Sequence, residues 1–181
     1  VIMQIDLTGK KALVTGASRG LGRAIELSLA RAGADEVITY EKSADKAQAV
    51  ADEIKALGRH GEAIQADSAS AQAIQDAVTQ AARSLGGLDI LVNNAGRQQF
   101  RESLEELTTE DFDATFKTNV YAPFSITKAA LRHLKASSVI INTSSVQAVK
   151  PSQVLLDYAQ TKACLAVFTK SLAKQLGPKG I

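Results

Sequence analysis

Tryptophan is absent, cysteine occurs once, histidine twice and proline three times in these 181 residues, and each scarcity excludes something. A lone Cys164 leaves no internal disulfide, which excludes a disulfide-stapled secreted scaffold and fits a reducing compartment. On the helical pattern around it, Cys164 reads as a packing residue rather than a nucleophile. His60 and His133 have no neighbouring Cys/His cluster, so no metal site is expected and both are assigned to the surface. So few prolines leave no room for a Pro-rich linker. No apolar run approaches the roughly 18–20 residues that a membrane-spanning helix needs. No signal-peptide pattern opens the chain, and the expectation is a soluble cytoplasmic protein. Neither sign of charge dominates: Lys and Arg total 21 against 19 for Asp and Glu, a net of +2. That surplus is too small and too dispersed for a nucleic-acid or membrane-surface binder. Repeats and low-complexity segments are also missing.

What is present is apolar content of 45%, enough for one domain over residues 1–181. Short apolar runs alternate with helical patterns. Lys11–Thr15 reads as a strand, broken by Gly16-Ala17-Ser18-Arg19-Gly20-Leu21-Gly22 and followed by a helix that Gly33 stops. Glu36–Tyr40 is a second strand, followed by a helix capped by Ser43 with Ala47, Val50, Ala51, Ile54 and Leu57 on one face. A weak third strand, 63–66, ends at Asp67-Ser68, and a helix over 70–85 follows. A fourth strand, 88–92, ends at Asn93-Asn94-Ala95-Gly96. Residues 97–108 form a loop, and Thr109–Lys135 reads as one long helix opened or kinked at Pro123. Val139–Thr143 is the fifth strand, and a helix runs from about Leu156 to Leu176.

Strands alternating with helices predict βαβ units, right-handed crossovers and a parallel sheet buried on both faces. The fold class is therefore α/β, a doubly wound Rossmann-type sheet with helices on both sides. Such a fold places every strand-end motif at one carboxyl edge, where ligands bind.

Three groups of residues carry chemistry. The glycine turn, in a strand–turn–helix context, suits a pyrophosphate at a helix N-terminus. Tyr158 and Lys162, one turn apart, share a helix face. Ser145, just past the fifth strand, brings a hydroxyl toward that helix start. A hydroxyl, a phenol and an ammonium together suit proton transfer to or from a carbonyl or alcohol. The plain alternative for Tyr158 and Lys162 is an amphipathic pair on a surface helix. For Asn119 it is a helix-bend residue, and for Asp67 a solvated strand end.

Thr15-Gly16-Ala17-Ser18-Arg19-Gly20-Leu21-Gly22, Asn93-Asn94-Ala95-Gly96, Asn119, Ser145, Tyr158 and Lys162, in this order, resemble the short-chain dehydrogenase/reductase family over essentially the whole chain. The glycine spacing is similar to its oxidoreductase branch. The resemblance implies Tyr158 as general acid or base, Lys162 as the cation beside it and as a ribose contact, and Ser145 as a hydrogen-bond donor to substrate. A free tyrosine titrates near about 10, and a nearby ammonium favours the phenolate. Asn119 is implied to keep a water for a proton relay, its side chain competing with the helical ladder. Gly16, Ser18, Arg19, Gly20, Leu21 and Gly22 are implied to hold the phosphates, and Asn94, Ala95 and Gly96 to flank the cofactor. Asn94 serves equally well as a tie between neighbouring strands. Asp67 and Ser68 are implied to meet the adenine.

Cofactor choice is a contest of charges. Glu41 after the second strand favours NAD, whereas Lys42 beside it and Arg19 in the glycine turn favour NADP. Two cations against one carboxylate tip the reading to NADP, with NAD the alternative. Family members run longer, so the resemblance implies a chain incomplete at its C-terminus, lacking a sixth strand, a substrate-covering segment and a seventh strand. The sheet edge is then expected to be uncovered. The loop before Tyr158, with Val154, Leu155 and Leu156, is more similar to members acting on polyols, sugars or small ketones than to acyl-carrier-protein reductases. Helices over Thr109–Lys135 and Leu156–Leu176 resemble the family's dimer-forming pair, so a homodimer or homotetramer is expected. Two functions follow: a nicotinamide-dependent carbonyl reductase or alcohol dehydrogenase, or a catalytically idle dinucleotide-binding sensor or scaffold.

Overall fold

The structure is a computed structural model that describes residues 5–181. Five strands form one parallel sheet in the order β3-β2-β1-β4-β5, with β1 (Lys11–Thr15) at its centre. β1 pairs with β2 (Asp35–Tyr40) and β4 (Ile90–Asn93), while β3 (Gly61–Gln65) and β5 (Val139–Asn142) flank them. The apolar run of β1 is buried on both faces, which is why its side chains do not alternate between apolar and polar.

Each face of the sheet has its own core. Ala12, Val14, Ile38, Ile90 and Val92 pack against Leu27 and Ala30 of α1 (Gly20–Arg31) and Ala47, Val50 and Ile54 of α2 (Ala44–Ala56). Leu13, Val37 and Leu91 point the other way, onto Ile74, Val78 and Ala81 of α3 (Ala71–Leu85) and onto Ile126 of α5 (Ala122–Ala130). Truncating one of the fully buried residues, such as Leu13 to alanine, costs about 2–5 kcal/mol.

The predicted element order holds, and several local expectations are corrected. The helix expected over Thr109–Lys135 is broken: α4 (Thr109–Phe116) passes into a π-helical turn, Lys117–Tyr121, before α5, and a 3₁₀ turn, Leu131–His133, ends the run. Pro123 explains the break, because it lacks the N–H that an α-helix would direct to the carbonyl of Asn119. The cap of α4 is Thr108, whose hydroxyl accepts from the Asp111 N–H at 3.1 Å. Ser43 precedes α2 without making a side-chain capping bond. α6 (Leu156–Leu176) packs on α4, on the π turn and along β5. Cys164 on α6 is exposed, which corrects its assignment to packing. β5 is an edge strand with Val139 and Ile141 about half exposed. Among the described residues no helix is long and apolar enough to cross a membrane.

Candidate active site

A cleft of about 560 Å³ opens at the carboxyl edge of the sheet. Its first wall is the β1–α1 turn. Gly16 there has φ +67, and a Cβ on it would lie 2.7 Å from the Cα of Ala95. Gly22 is tighter still, since a Cβ would meet Asn94 Nδ2 and the Gly16 carbonyl at 2.6 Å. Gly20, by contrast, faces open space with nothing within 4 Å of its would-be Cβ. No side chain caps the N-terminus of α1, so its first-turn N–H groups face the cleft unclaimed. Bare backbone donors at a helix start, with glycine clearing the approach, are the chemistry that suits a phosphate group.

The β4 loop is tied to that turn. Thr15 Oγ1, buried, accepts from the backbone N–H of Asn94 at 3.0 Å and of Ala95 at 3.1 Å. Asn94 Nδ2 donates to the carbonyls of Thr15 at 3.0 Å and Gly16 at 3.3 Å. The Asn94 amide therefore joins neighbouring strand ends, as one of its two expected roles required. Asn93 Nδ2 similarly reaches Asn142 Oδ1 at 2.8 Å and Thr127 Oγ1 at 3.1 Å.

The opposite wall is the start of α6. Lys162 is buried to 4% exposure and donates from Nζ to the Thr143 carbonyl at 2.7 Å. Its ammonium lies 5.4 Å from the centre of the Tyr158 ring. Burial pushes the Lys162 pKa down from its ordinary value. Ser145 caps the 3₁₀ turn Val146–Ala148, its Oγ accepting from the Gln147 N–H at 3.2 Å, and this turn packs on α6.

Most of the residues picked out from sequence come together. Gly16, Ser18, Arg19, Gly20, Leu21 and Gly22 line the cleft with Glu41, Lys42 and Ser68, and so do Asn94, Ala95, Gly96, Tyr158 and Lys162. Lys42 Nζ pairs with Glu41 Oε1 at 3.3 Å, both well exposed. Asp67, Ser145 and Asn119 do not form its wall. Asp67 accepts from the Ala69 N–H at 2.8 Å in its own turn. Asn119 lies 1% exposed behind Gly96, and its amide is fully used. Oδ1 accepts from the Arg97 N–H at 2.7 Å, while Nδ2 donates to the Arg97 carbonyl at 2.9 Å and to Thr161 Oγ1 at 3.0 Å. The amide thus reaches a distant loop instead of competing with the helical ladder.

Four contributors were given no role from the sequence. Thr15, Thr143 and Thr161 act through bonds to distant backbone or side chains, which composition does not signal. Asp111 holds Arg97 at 2.9 Å and Arg101 at 2.6 Å, and Arg101 keeps the Asp111 carboxyl below the usual range. Arg101 also donates its N–H to the Val154 carbonyl at 3.1 Å, joining the 97–108 loop to the loop before α6.

A parallel sheet whose carboxyl edge carries a glycine turn on one wall and a phenol–ammonium pair on the other has the arrangement of a dinucleotide-binding fold. The chain belongs to the short chain dehydrogenase family, which it matches over residues 10–181. An uncharacterized oxidoreductase of Bacillus subtilis, YhxD, is 46% identical over 177 residues, covering 97% of this chain and 59% of the relative. NADPH-dependent aldehyde reductase 1 of Arabidopsis thaliana, chloroplastic, is 37% identical, covering 97% of this chain and 63% of the relative. A short chain dehydrogenase from Burkholderia cenocepacia, solved in complex with NADP, superposes with TM-score 0.94 at 52% identity, covering 97% of this chain and 71% of that one. The chain thus spans 59% and 63% of these two curated relatives.

Proposed function

We propose that residues 1–181 act as a single dinucleotide-binding and catalytic domain of an NADP(H)-dependent oxidoreductase that interconverts a carbonyl and an alcohol. The observation that carries this reading is the buried Lys162 ammonium, bonded to the Thr143 carbonyl and set 5.4 Å from the Tyr158 ring, on the cleft that the glycine turn also lines.

The bound dinucleotide supplies a hydride to the carbonyl carbon in reduction and takes one up in oxidation. The N–H groups at the start of α1, with Ser18 and Leu21, hold its phosphates. Arg19 and Lys42 take a 2′-phosphate. Lys42 already pairs with Glu41, which offsets the carboxylate that would otherwise repel that phosphate. The NADP bound by the Burkholderia relative and the NADPH dependence of the Arabidopsis reductase support this choice over NAD. Ser68 borders the adenine end, with the Asp67 carboxylate engaged in its own turn beside it, and Ala95 and Gly96 border the nicotinamide end.

Tyr158 gives its phenolic proton to the substrate oxygen in reduction and takes it back in oxidation. Ser145 donates a hydrogen bond to the same oxygen. Lys162 holds positive charge beside the phenol and contacts the ribose. With the Asn119 amide occupied, its main-chain carbonyl is the part left to hold a relay water. The aldehyde reductase activity in the Arabidopsis relative's name supports a carbonyl substrate. Tyr121, Phe124 and Val167 are each more than half exposed, and Phe124 lies 6.4 Å from Phe168 between α5 and α6. That apolar face supports a homodimer or homotetramer formed through these helices.

The test is a panel of ketones, aldehydes, sugars and polyols with NADPH and NADH, followed at the nicotinamide absorbance in the protein at its full natural length. Turnover that Tyr158→Phe abolishes while NADPH still binds is the expected result. Cofactor binding without turnover across the panel would replace this reading with a non-catalytic dinucleotide sensor.

A further inference from the structure

Thr161 stands between Tyr158 and Lys162 on α6 and is fully buried. Its hydroxyl works in two directions. It donates to the Tyr158 carbonyl at 2.7 Å and accepts from Asn119 Nδ2 at 3.0 Å. A threonine hydroxyl bonding to a carbonyl one turn back is ordinary in helices. The second bond is not, because it crosses 42 residues to the π turn. Through the Asn119 amide it continues to both backbone groups of Arg97. One hydroxyl, with one proton and two lone pairs, therefore joins three segments: the loop after β4, the π turn and the first turns of α6. These segments meet beside the cleft, where a Cβ on Gly96 would lie 3.7 Å from Asn119 Oδ1 and 3.8 Å from Lys162 Nζ.

We propose that Thr161 is a positioning residue whose hydroxyl sets the height of the Tyr158–Lys162 turn above the Gly96–Arg97 floor. The inference rests on the reading of Tyr158 as the proton donor. Valine fills the same volume as threonine but offers Asn119 no acceptor and leaves the Tyr158 carbonyl without this donor. The α6 turn then settles against the cleft without its link to Arg97. A misplacement of about 1 Å at reacting atoms can cost about a hundredfold in rate. Dinucleotide binding is made mostly on the other wall, so it falls less than turnover does.

The experiment compares Thr161→Val, Thr161→Ser, Thr161→Cys and Tyr158→Phe in the protein at its full natural length, with NADPH and ethyl pyruvate. Thr161→Val is expected to lower kcat about tenfold or more, with a smaller change in the NADPH dissociation constant. Thr161→Ser, which keeps the hydroxyl, restores the rate, and Thr161→Cys, a weak hydrogen-bonding group of similar size, falls below it. Hydrogen exchange of the Arg97 amide gives a readout independent of turnover: faster in Thr161→Val, restored in Thr161→Ser, unchanged in Tyr158→Phe. Wild-type kcat and unchanged Arg97 exchange in Thr161→Val would overturn the proposal. So would equal losses in the serine and valine variants, which would assign the effect to the methyl group. If valine prevents folding, the serine–cysteine comparison decides by the same two readouts. A Tyr158→Phe protein as active as wild type sinks the proton-donor reading instead, and the Arg97 exchange still reports whether the link exists.

Discussion

Glu26 on α1 and Glu36 on β2 direct their carboxyl groups at each other inside the core, and none of the four oxygens receives a bond from any other described residue. Both side chains are fully buried. A proton held between the two carboxyls is the one donor that satisfies such a pair, since two bare carboxylates there would be unpaired buried charges.

Stability should therefore fall with rising pH. Burial pushes Glu36 up to about 7, and burial first, then its contact with Glu36, pushes Glu26 well above the ordinary range. Folding raises the pH at which each group gives up its proton, so the pair still holds at least one after the unfolded chain has released both. The contribution is fully present below the ordinary carboxyl value of 4.5 and is lost as pH rises through about 7. For Glu36 alone the window is worth roughly 3 kcal/mol. Thermal unfolding of wild type should show a melting temperature dropping between about pH 5 and pH 8. The double variant Glu26→Leu with Glu36→Val should lack that slope, and identical slopes would rule out the shared proton.

Gly22→Ala should hurt binding and stability together. The added methyl meets the Gly16 carbonyl at 2.6 Å and the Ala17 Cα at 2.8 Å, both backbone atoms that cannot swing away. The β1–α1 turn must open, at about 1–3 kcal/mol. Differential scanning fluorimetry and NADPH fluorescence titration would read the two losses. A variant that binds NADPH as wild type does would mean that the turn is not the phosphate cradle.

Arg19→Ala should separate the two cofactors. A charge-assisted bond to a phosphate is worth about 1.5–3 kcal/mol, so NADPH binding should weaken by about tenfold or more while NADH binding stays put. Raising ionic strength should shrink the difference, because Arg19 lies on the open cleft. Equal weakening of both cofactors would assign Arg19 to the shared pyrophosphate and leave Lys42 as the cation that favours NADP.

Much of this site was legible in the residues because its signals are local. Gly16 and Gly22 mark a turn with no room for a side chain, and Tyr158 and Lys162 share a face by helical spacing alone. Pro123 announced a break without its form: the missing N–H was readable, but the π turn that places Asn119 against Arg97 depends on what packs around it. The same limit explains Cys164, which a helical pattern assigned to the interior and which α6 leaves exposed. It also explains Glu36, read only as the first residue of a strand, whose burial opposite Glu26 depends on how α1 lies on the sheet.

The residues by themselves determined the alternation of strand and helix, and with it the gathering of every strand-end motif at one edge. Hydrophobic period and turn chemistry act over a few residues, and parallel connections bring successive strand ends to the same side. Only the tertiary structure decided which atom each polar group meets. Lys162 finds the Thr143 carbonyl, Asn119 finds Arg97 and Thr161, and Glu26 finds Glu36 because helices and strands far apart in sequence pack closely enough to bring most buried donors and acceptors to a partner.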